Sequence, residues 1–382
     1  MTFDDRFPLP PGSTIGIMGG GQLGRMTALA AAPFGYRCHI FTPEADSPAE
    51  QVADTTTVAA YDNAEALRSF ADSVDVVTFE FENVPHESVQ LLADRVPVRP
   101  GWNVLRVSQD RLIEKDFING LGIPTTPYRA VRNLTELQSA VADLGLPAVL
   151  KTTRLGYDGK GQVKIEEGSN LEDAWNAIDI SSGGGVAILE AFADLAMEVS
   201  VIVARSEDNA WTAFPPVENR HVNHILDTTR APAGLPEAIA MSAVRAALAI
   251  ADELAVVGLL AVEMFITNDP KRGGVTKKSQ LLINEIAPRP HNSGHWTIDA
   301  CLCSQYEQFV RAVAGLPFGT AERHHDAVMK NLIGDEVDSW LDALHDPASF
   351  LHVYGKAEAR PGRKMGHVTR LFPLGKLPRD VG

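Results

Sequence analysis

Residues Ile15 to Met26, IGIMGGGQLGRM, constrain the fold most: a short apolar run meets glycines at 19, 21 and 24 in G-x-G-x-x-G spacing, and a helical pattern follows. Glycines permit a tight turn and close backbone approach, and the helix N-terminus beyond them offers free N–H groups and a positive dipole end to an anion. The stretch predicts strand, turn and helix, the first unit of an α/β layer. Any phosphate would suit it, so it does not by itself select a dinucleotide. CHIFTP (38–43) and DVVTFEFENVP (75–85) read as further strands and NAEALRSFADS (63–73) as a helix, giving an N-terminal α/β domain with a parallel sheet over residues 14–107. In the loop-rich run after the second strand, Glu44 or Asp46 could pose as the ribose-binding acid of a Rossmann unit; a solvated turn accounts for them as well. The opening MTFDDRFPLPPGS (1–13) is acidic, Pro-rich and without an apolar centre, which predicts a disordered lead and not a secretory signal.

A second domain is expected over 108–190 and a third over 191–382. SQDRLIEKDFINGLGIPTTPY (108–128) reads as a charged amphipathic helix ended by Gly120 or Gly122, with Pro124 preventing continuation. PAVLKTT, GYDGKGQ and VKIEE read as strand, glycine-rich turn and returning strand. That is a hairpin and not a P-loop, whose glycines feed a helix. VAILEAFA and EVSVIVARS are strands, AFPPVENRHVNHILDTTRAP (213–232) reads as irregular and polar, and PEAIAMSAVRAALAIADELA as a long helix. LLAVEMFI and QLLINEIAPR are strands joined by the polar hairpin NDPKRGGVTKKS. Beyond Leu316 the chain shows a strand-like VMKNLIG and a basic turn, RPGRKMGH.

Glu263 and Glu285 are the most informative pair. Each carboxylate sits in an otherwise apolar strand, and one hairpin joins the two strands, so both side chains can converge. Burying an ionised carboxylate without a partner is expensive. A hard cation between them resolves the cost, and Mg²⁺ takes one or two carboxylates plus substrate phosphates. Asn284 joins such a site only if the strand twists or ends there, since adjacent strand residues face opposite sides. Acids pairing with lysines within a sheet are the plain alternative. Lys151 ends a strand just before the glycine turn, where its ammonium can meet a phosphate while the turn closes over it, with Lys160 assisting. Glu190 and Glu198 suit a nucleotide's ribose and adenine edge, or are ordinary strand charges. The run APRPHNSGHWT (287–297) gathers Arg289, His291, Asn292, Ser293 and His295, and Arg289 is placed to hold a small anion. Lys356, Arg360, Arg363 and Lys364 form either a phosphate clamp or a solvated basic turn.

Lys plus Arg number 34 against 49 for Asp plus Glu, and the net charge of -15 repels nucleic acid and anionic membranes. No stretch approaches the roughly 18 consecutive apolar residues of a membrane span. The odd set Cys38, Cys301 and Cys303 favours a reducing, cytoplasmic setting, and a single C-x-C does not make a zinc site.

The order GGGQLGRM, TFEFENVP, QDRLIEKDF, KTTRLGYDGKGQ, ILEAF with EVS, ENRHVNHI, VEMF, INEIAPRPHNSGHW and RPGRKMGH resembles the 5-(carboxyamino)imidazole ribonucleotide synthetases, the PurK family of the ATP-grasp superfamily, from Ile15 to about Leu371. The resemblance implies an ATP-grasp fold: a Rossmann-like N-terminal domain, a central nucleotide lid and a C-terminal domain completing the cleft. It implies ATP and Mg²⁺, with bicarbonate as co-substrate, and carboxylation of the exocyclic amine of 5-aminoimidazole ribonucleotide through carboxyphosphate. ATP contacts would be Arg111, Lys151, the turn Gly156, Tyr157, Asp158, Gly159, Lys160, Gly161 and Gln162, the segment Glu190, Ala191, Phe192 and Ala193, then Glu198, His221, Asn284 and Glu285. Glu263 and Glu285 would hold the metal. Gln22, Leu23, Glu80, His291, Asn292, Ser293, Lys356, Arg363 and Lys364 would face the ribonucleotide. Lys151 and Arg289 would carry the chemistry, with Asp158 assisting proton transfer, in an enzyme that is a homodimer. The other activities weighed are a formate-dependent glycinamide ribonucleotide transformylase, another ATP-grasp carboxylase, an NAD-dependent dehydrogenase and a non-catalytic nucleotide-binding module.

Overall fold

The computed structural model of the chain describes residues 6–156, 161–269, 271 and 273–378. Its N-terminal sheet consists of β1 (Thr14–Met18), β2 (Arg37–Thr42), β3 (Thr55–Val58) and β4 (Val76–Phe79) in spatial order β3-β2-β1-β4, all parallel. Parallel sheets are covered on both faces, and the alternation along β1 shows how. Ile15 and Ile17 join Ala28 and Ala31 of α1 (Gln22–Ala31) in one core, while Met18 faces another with Phe41, Phe70 and Phe79. Helices α2 (Ala64–Ala71) and α3 (His86–Ala93) add Leu67, Ala71, Val89 and Leu92 to that second core. The threonine-rich β3, which begins at the end of the stretch expected to be loop, is a short edge strand. Glu44 and Asp46 are exposed on the loop before it, so the solvated-turn reading holds.

Residues 6–13 depart from the expected disordered lead. The Leu9 N–H donates to the Ala314 carbonyl, the Tyr36 hydroxyl donates to the Leu9 carbonyl, and the Leu9 side chain is buried. Apolar Phe7 and Leu9 pin a strap that its prolines and acids disguise.

The central sheet orders β5 (Tyr128–Val131), β6 (Ala148–Thr152), β7 (Gln162–Ile165) and β8 (Ala187–Ala191) as β5-β8-β6-β7, wholly antiparallel. The β6–β7 hairpin is the one read from the sequence. Before it come α4 (Trp102–Ser108) and α5 (Arg111–Gly120), the latter capped by the Asp110 side chain, which accepts from Leu112 and Ile113 N–H. Ile118 of α5 packs with Val199, Ile250 and Ile283 of the C-terminal core.

The large sheet has the path β14-β13-β9-β11-β12-β15-β17-β16, with β10 beside β9. Its strands are β9 (Leu195–Arg205), β10 (Trp211–Ala213), β11 (Val217–Val222), β12 (Ile225–Ala231), β13 (Gly258–Thr267), β14 (Leu281–Ala287), β15 (Asp326–Ile333), β16 (Ser349–Val353) and β17 (Lys364–Phe372). Two sequence expectations fail here. The supposedly irregular 213–232 forms the β11–β12 hairpin at the sheet centre, and the basic segment continues into β17. Asn223 and His224 both take positive φ, the geometry of a two-residue hairpin turn. The polar residues that hid the hairpin are satisfied internally: Asn219, Thr228 and Thr229 are buried, and Thr229 donates to Asn219, which donates to Ser200. Among the described residues no helix is long and apolar enough to cross a membrane.

Candidate active site

A cleft of about 730 Å³ opens between the three sheets. Its lining draws Gln22, Leu23 and Glu80 from the N-terminal layer, Lys151, Gly156 and Gln162 from the β6–β7 hairpin, and Glu198, His221, Glu263, Asn284 and Glu285 from the large sheet. Arg111, Arg289, His291, Asn292 and Lys364 complete it. Residues up to 342 positions apart in the chain therefore share one space, running from Gln22 to Lys364.

The carboxylate pair is built by sheet register. Glu263 of β13 lies opposite Glu285 of β14, but the next pair is Met264 with Ile283. Asn284 is thus the extra residue of a β-bulge, which breaks strict alternation and lets Asn284 and Glu285 both reach the cleft. The Arg111 guanidinium donates to Glu285 Oε2 at 2.9 Å and to the Gly156 carbonyl at 3.2 Å, tying the carboxylate to the glycine turn. His291 Nε2 lies 3.1 Å from Glu263 Oε1, and its Nδ1 is held by the Ser293 hydroxyl at 2.8 Å. Ser293 meets Ser200 at 2.6 Å, so the buried chain through Asn219 and Thr229 fixes the imidazole from behind. Burial alone would raise the Glu263 pKa. The hydrogen bond and charge of His291, with His221 and Lys364, outweigh it and hold the carboxyl down to about 2. His221 Nδ1 sits 2.6 Å from Glu198 Oε2. Burial works against its charge, yet Glu198 and Glu263 raise its pKa above the ordinary histidine value.

Lys151 lines the cleft, and its Nζ donates to Glu190 Oε2 at 2.9 Å. Glu190 itself, expected at the nucleotide, is buried behind the lining between Lys151 and Lys115. Among the described residues the cleft lining also excludes Gly161, Ala191, Phe192, Ala193, Ser293, Lys356 and Arg363. Gly161 is spent on the turn, at positive φ against Thr152, and Phe192 is half exposed. Lys356 Nζ donates to the Lys364 carbonyl at 2.6 Å and adds positive charge near Glu80; Arg363 donates to the Glu358 carbonyl. Of the basic segment, Lys364 is the residue that lines the cleft. Tyr157, Asp158, Gly159 and Lys160 lie outside the described residues.

The glycine turn after β1 already holds an anion, and that anion belongs to the protein. Glu80, just past β4, accepts from Gly21 N–H through Oε1 and from Gly24 N–H through Oε2 at 2.7 Å. A Cβ at Gly19 would meet Glu80 at 2.3 Å and one at Gly21 at 2.5 Å. The glycines make room for a carboxylate, so a dinucleotide pyrophosphate would have to evict Glu80. Burial raises the Glu80 pKa, opposed by those two N–H groups. Gly21→Ala is expected to cost about 2 kcal/mol of stability in urea melts, the price of stranding a buried acceptor. Gly120→Ala, on α5 and with a Cβ that would meet nothing within 4 Å, is the control and is expected to be no less stable than wild type.

Sequence reasoning missed other residues that build the site, His224 and Arg154 in its lining among them. Glu82 pairs with the Arg289 guanidinium. Gln109 donates to the Glu82 and Val84 carbonyls and accepts from Arg154. Glu114 and Lys115, both buried, sit on α5. Their signal was the spacing Arg111, Glu114, Lys115, three charges on one helical face. Outside the cleft, Asp299, His352 and His367 also approach one another, within 4.8 Å. The two imidazoles stack at 4.5 Å and 13°, so their in-plane lone pairs run side by side and do not converge as a metal requires.

Comparison with known proteins places this geometry. Residues 13–109 match the ribonucleotide synthetase preATP-grasp domain, 116–306 the ATP-grasp domain and 327–373 the phosphoribosylaminoimidazole carboxylase C-terminal domain. The N5-carboxyaminoimidazole ribonucleotide synthase of Brucella melitensis is 47% identical, over 97% of this chain and 99% of that protein. The bifunctional purine synthesis protein purC/E of Dictyostelium discoideum is 48% identical over 95% of this chain, which spans 37% of that longer protein. The N5-carboxyaminoimidazole synthase of Aspergillus clavatus, solved with ADP and 5-aminoimidazole ribonucleotide, superposes with a TM-score of 0.86 at 30% identity, covering 95% of this chain and 94% of that one.

Proposed function

The chain belongs to the N5-carboxyaminoimidazole ribonucleotide synthases of the ATP-grasp superfamily, and from the cleft we propose how its residues divide that reaction among themselves. The enzyme is an ATP-dependent ligase that carboxylates 5-aminoimidazole ribonucleotide in purine biosynthesis. The observation that carries the division of labour is the register pairing of Glu263 with Glu285 in the cleft that Lys151, Arg289, His291 and Glu80 also line.

Bicarbonate is a poor electrophile. The γ-phosphoryl group of ATP passes to one of its oxygens, giving carboxyphosphate and ADP; the substrate amine then bonds to the carboxyl carbon, phosphate departs and the amine loses a proton. Glu263 and Glu285 would fit a hard divalent cation, being oxygen donors on facing strands that open on the cleft; His291 and Arg111 also pair with them, so the cation would share these carboxylates with both. Held there, Mg²⁺ would supply charge neutralisation to the phosphate oxygens. Arg111 and Lys151 bind and orient the nucleotide phosphates, and Glu198 with His221 its sugar end. Arg289, half-buried and paired with Glu82, is positioned with His291 to bind the bicarbonate-derived anion. Gln22, Leu23 and Glu80 line the ribonucleotide side, with Lys364 directly and Lys356 and Arg363 behind it. Asp158 of the glycine turn is the proposed proton carrier.

The test is phosphate release from ATP with bicarbonate plus 5-aminoimidazole ribonucleotide, run beside formate plus glycinamide ribonucleotide. Turnover is expected with the first pair alone. Formate-dependent turnover without the first would overturn the reading.

A further inference from the structure

Helix α5 presents Arg111, Glu114 and Lys115 at i, i+3 and i+4, one face of the helix. These three side chains reach three consecutive residues of β14. Lys115 Nζ donates to the Asn284 carbonyl at 3.3 Å, Arg111 Nη1 to Glu285 Oε2 at 2.9 Å, and the Ile286 N–H donates to Glu114 Oε2 at 3.3 Å. This is the stretch where the bulge interrupts the ladder to β13. β14 is also the last strand of its sheet. Ahead of the bulge, Ile283 N–H finds the Pro124 carbonyl; from Asn284 onward the outward backbone groups meet α5.

Glu114 is 2% exposed and Lys115 0%. Interring two ionisable side chains side by side is costly, and an apolar pair would pack such a helix more cheaply. Their contacts supply the reason. A bulge gives up ladder bonds and bends the strand, so a bulged strand at a sheet edge needs other partners to hold one conformation. Lys115 reaches further, lying 3.6 Å from Glu190 Oε1, while Glu190 Oε2 accepts from Lys151. One buried ammonium therefore touches both the strand of the carboxylate pair and the carboxylate that seats the cleft lysine.

We propose that Glu114 and Lys115 are positioning residues: they lock the β14 bulge so that Asn284 and Glu285 face the cleft together, and Lys115 sets that strand's position relative to Lys151 through Glu190. The proposal rests on the reading of Glu285 as a metal-nucleotide ligand. Lys115 lies outside the cleft lining; Glu114 borders the cleft, and the contact through which it acts is the one its Oε2 makes with the Ile286 N–H.

The experiment titrates ADP into wild type, Glu114→Leu, Glu114→Gln and Lys115→Met by calorimetry, with and without Mg²⁺, alongside kcat, KM and a thermal melt. Wild type is expected to bind ADP more tightly with Mg²⁺. Glu114→Leu and Lys115→Met lose that gain by about 10- to 100-fold, the usual consequence of removing a ligand's support, and lower kcat while the ribonucleotide KM holds. Glu114→Gln keeps an oxygen for the Ile286 N–H and stays near wild type. If Glu114→Gln is as impaired as Glu114→Leu, Glu114 acts by charge and the proposal is wrong. It is equally wrong if the Leu and Met variants melt lower yet keep the full Mg²⁺ gain. Should one of these two fail to fold, the other gives the same reading. A wild type whose ADP affinity ignores Mg²⁺ overturns instead the assignment of Glu285 on which the proposal rests.

Discussion

Glu285→Gln is expected to reduce ATP-dependent phosphate release on the order of 10³-fold, the scale seen when one fixed group that stabilises transition-state charge is removed. The substitution keeps shape and deletes charge. Glu285 is the more exposed of the two carboxylates, at 39% of its side chain against 18% for Glu263, so its loss leaves the fold nearly unchanged. Glu263→Gln is expected to lose as much activity and to destabilise as well. In the folded protein Glu263 is an anion surrounded by His291, His221 and Lys364, whose charges hold its pKa at about 2 against the pull of burial. An amide there takes away the counter-charge that His291, His221 and Lys364 share, and the raised pKa of His221, which leans on Glu263 as well as on Glu198, falls. A histidine titration by NMR reads the second effect independently of activity. Wild-type turnover in Glu285→Gln would falsify the metal-site assignment.

How much was legible in advance follows from what each residue's neighbours look like in the chain. Glu263 and Glu285 stood out because a carboxylate inside an apolar β pattern is anomalous locally, and a single hairpin guaranteed that they meet. Asn284 did not, since period-2 alternation turns it away and only the bulge, a feature of strand pairing, turns it back. The β11–β12 hairpin was lost because its polar residues are the site: His221 and His224 line the cleft, and Asn219 carries the chain that steadies His291. Polarity there marks function where sequence pattern reads it as loop. Glycines 19, 21 and 24 read in the sequence as room for a phosphate; that the anion there is Glu80, 59 positions beyond Gly21, depends on which strand lies beside β1. Glu190 reads in the sequence as a strand-end ligand, and the fold puts two lysines on it, a pairing that no local pattern shows.

That placement predicts the largest stability effect in the molecule. Glu190 is 3% exposed, and burial would raise its pKa, yet Lys151 and Lys115 outweigh burial and bring it down to about 2. Glu190→Gln removes the anion and leaves Lys115, with no exposed surface, without its carboxylate partner inside the protein. Breaking one side of a buried pair in this way costs about 3–5 kcal/mol, which urea unfolding of the variant measures. Adding Lys115→Met to Glu190→Gln should recover part of the loss, because it deletes the stranded cation, so the two changes are expected to be strongly non-additive. The acid limb gives a second readout with a definite sign. A carboxyl whose folded pKa lies below its unfolded value stabilises the fold at all pH above the unfolded value, about 4.3 for Glu, and that stability drains away as pH falls towards about 2. Wild type therefore loses up to about 1.4 kcal/mol per pH unit on this account within that window, and the Gln variant, already destabilised, shows a correspondingly flatter slope. A Glu190→Gln protein as stable as wild type at pH 7, with an unchanged acid limb, would mean that the carboxylate is spent on the nucleotide and not on the lysines.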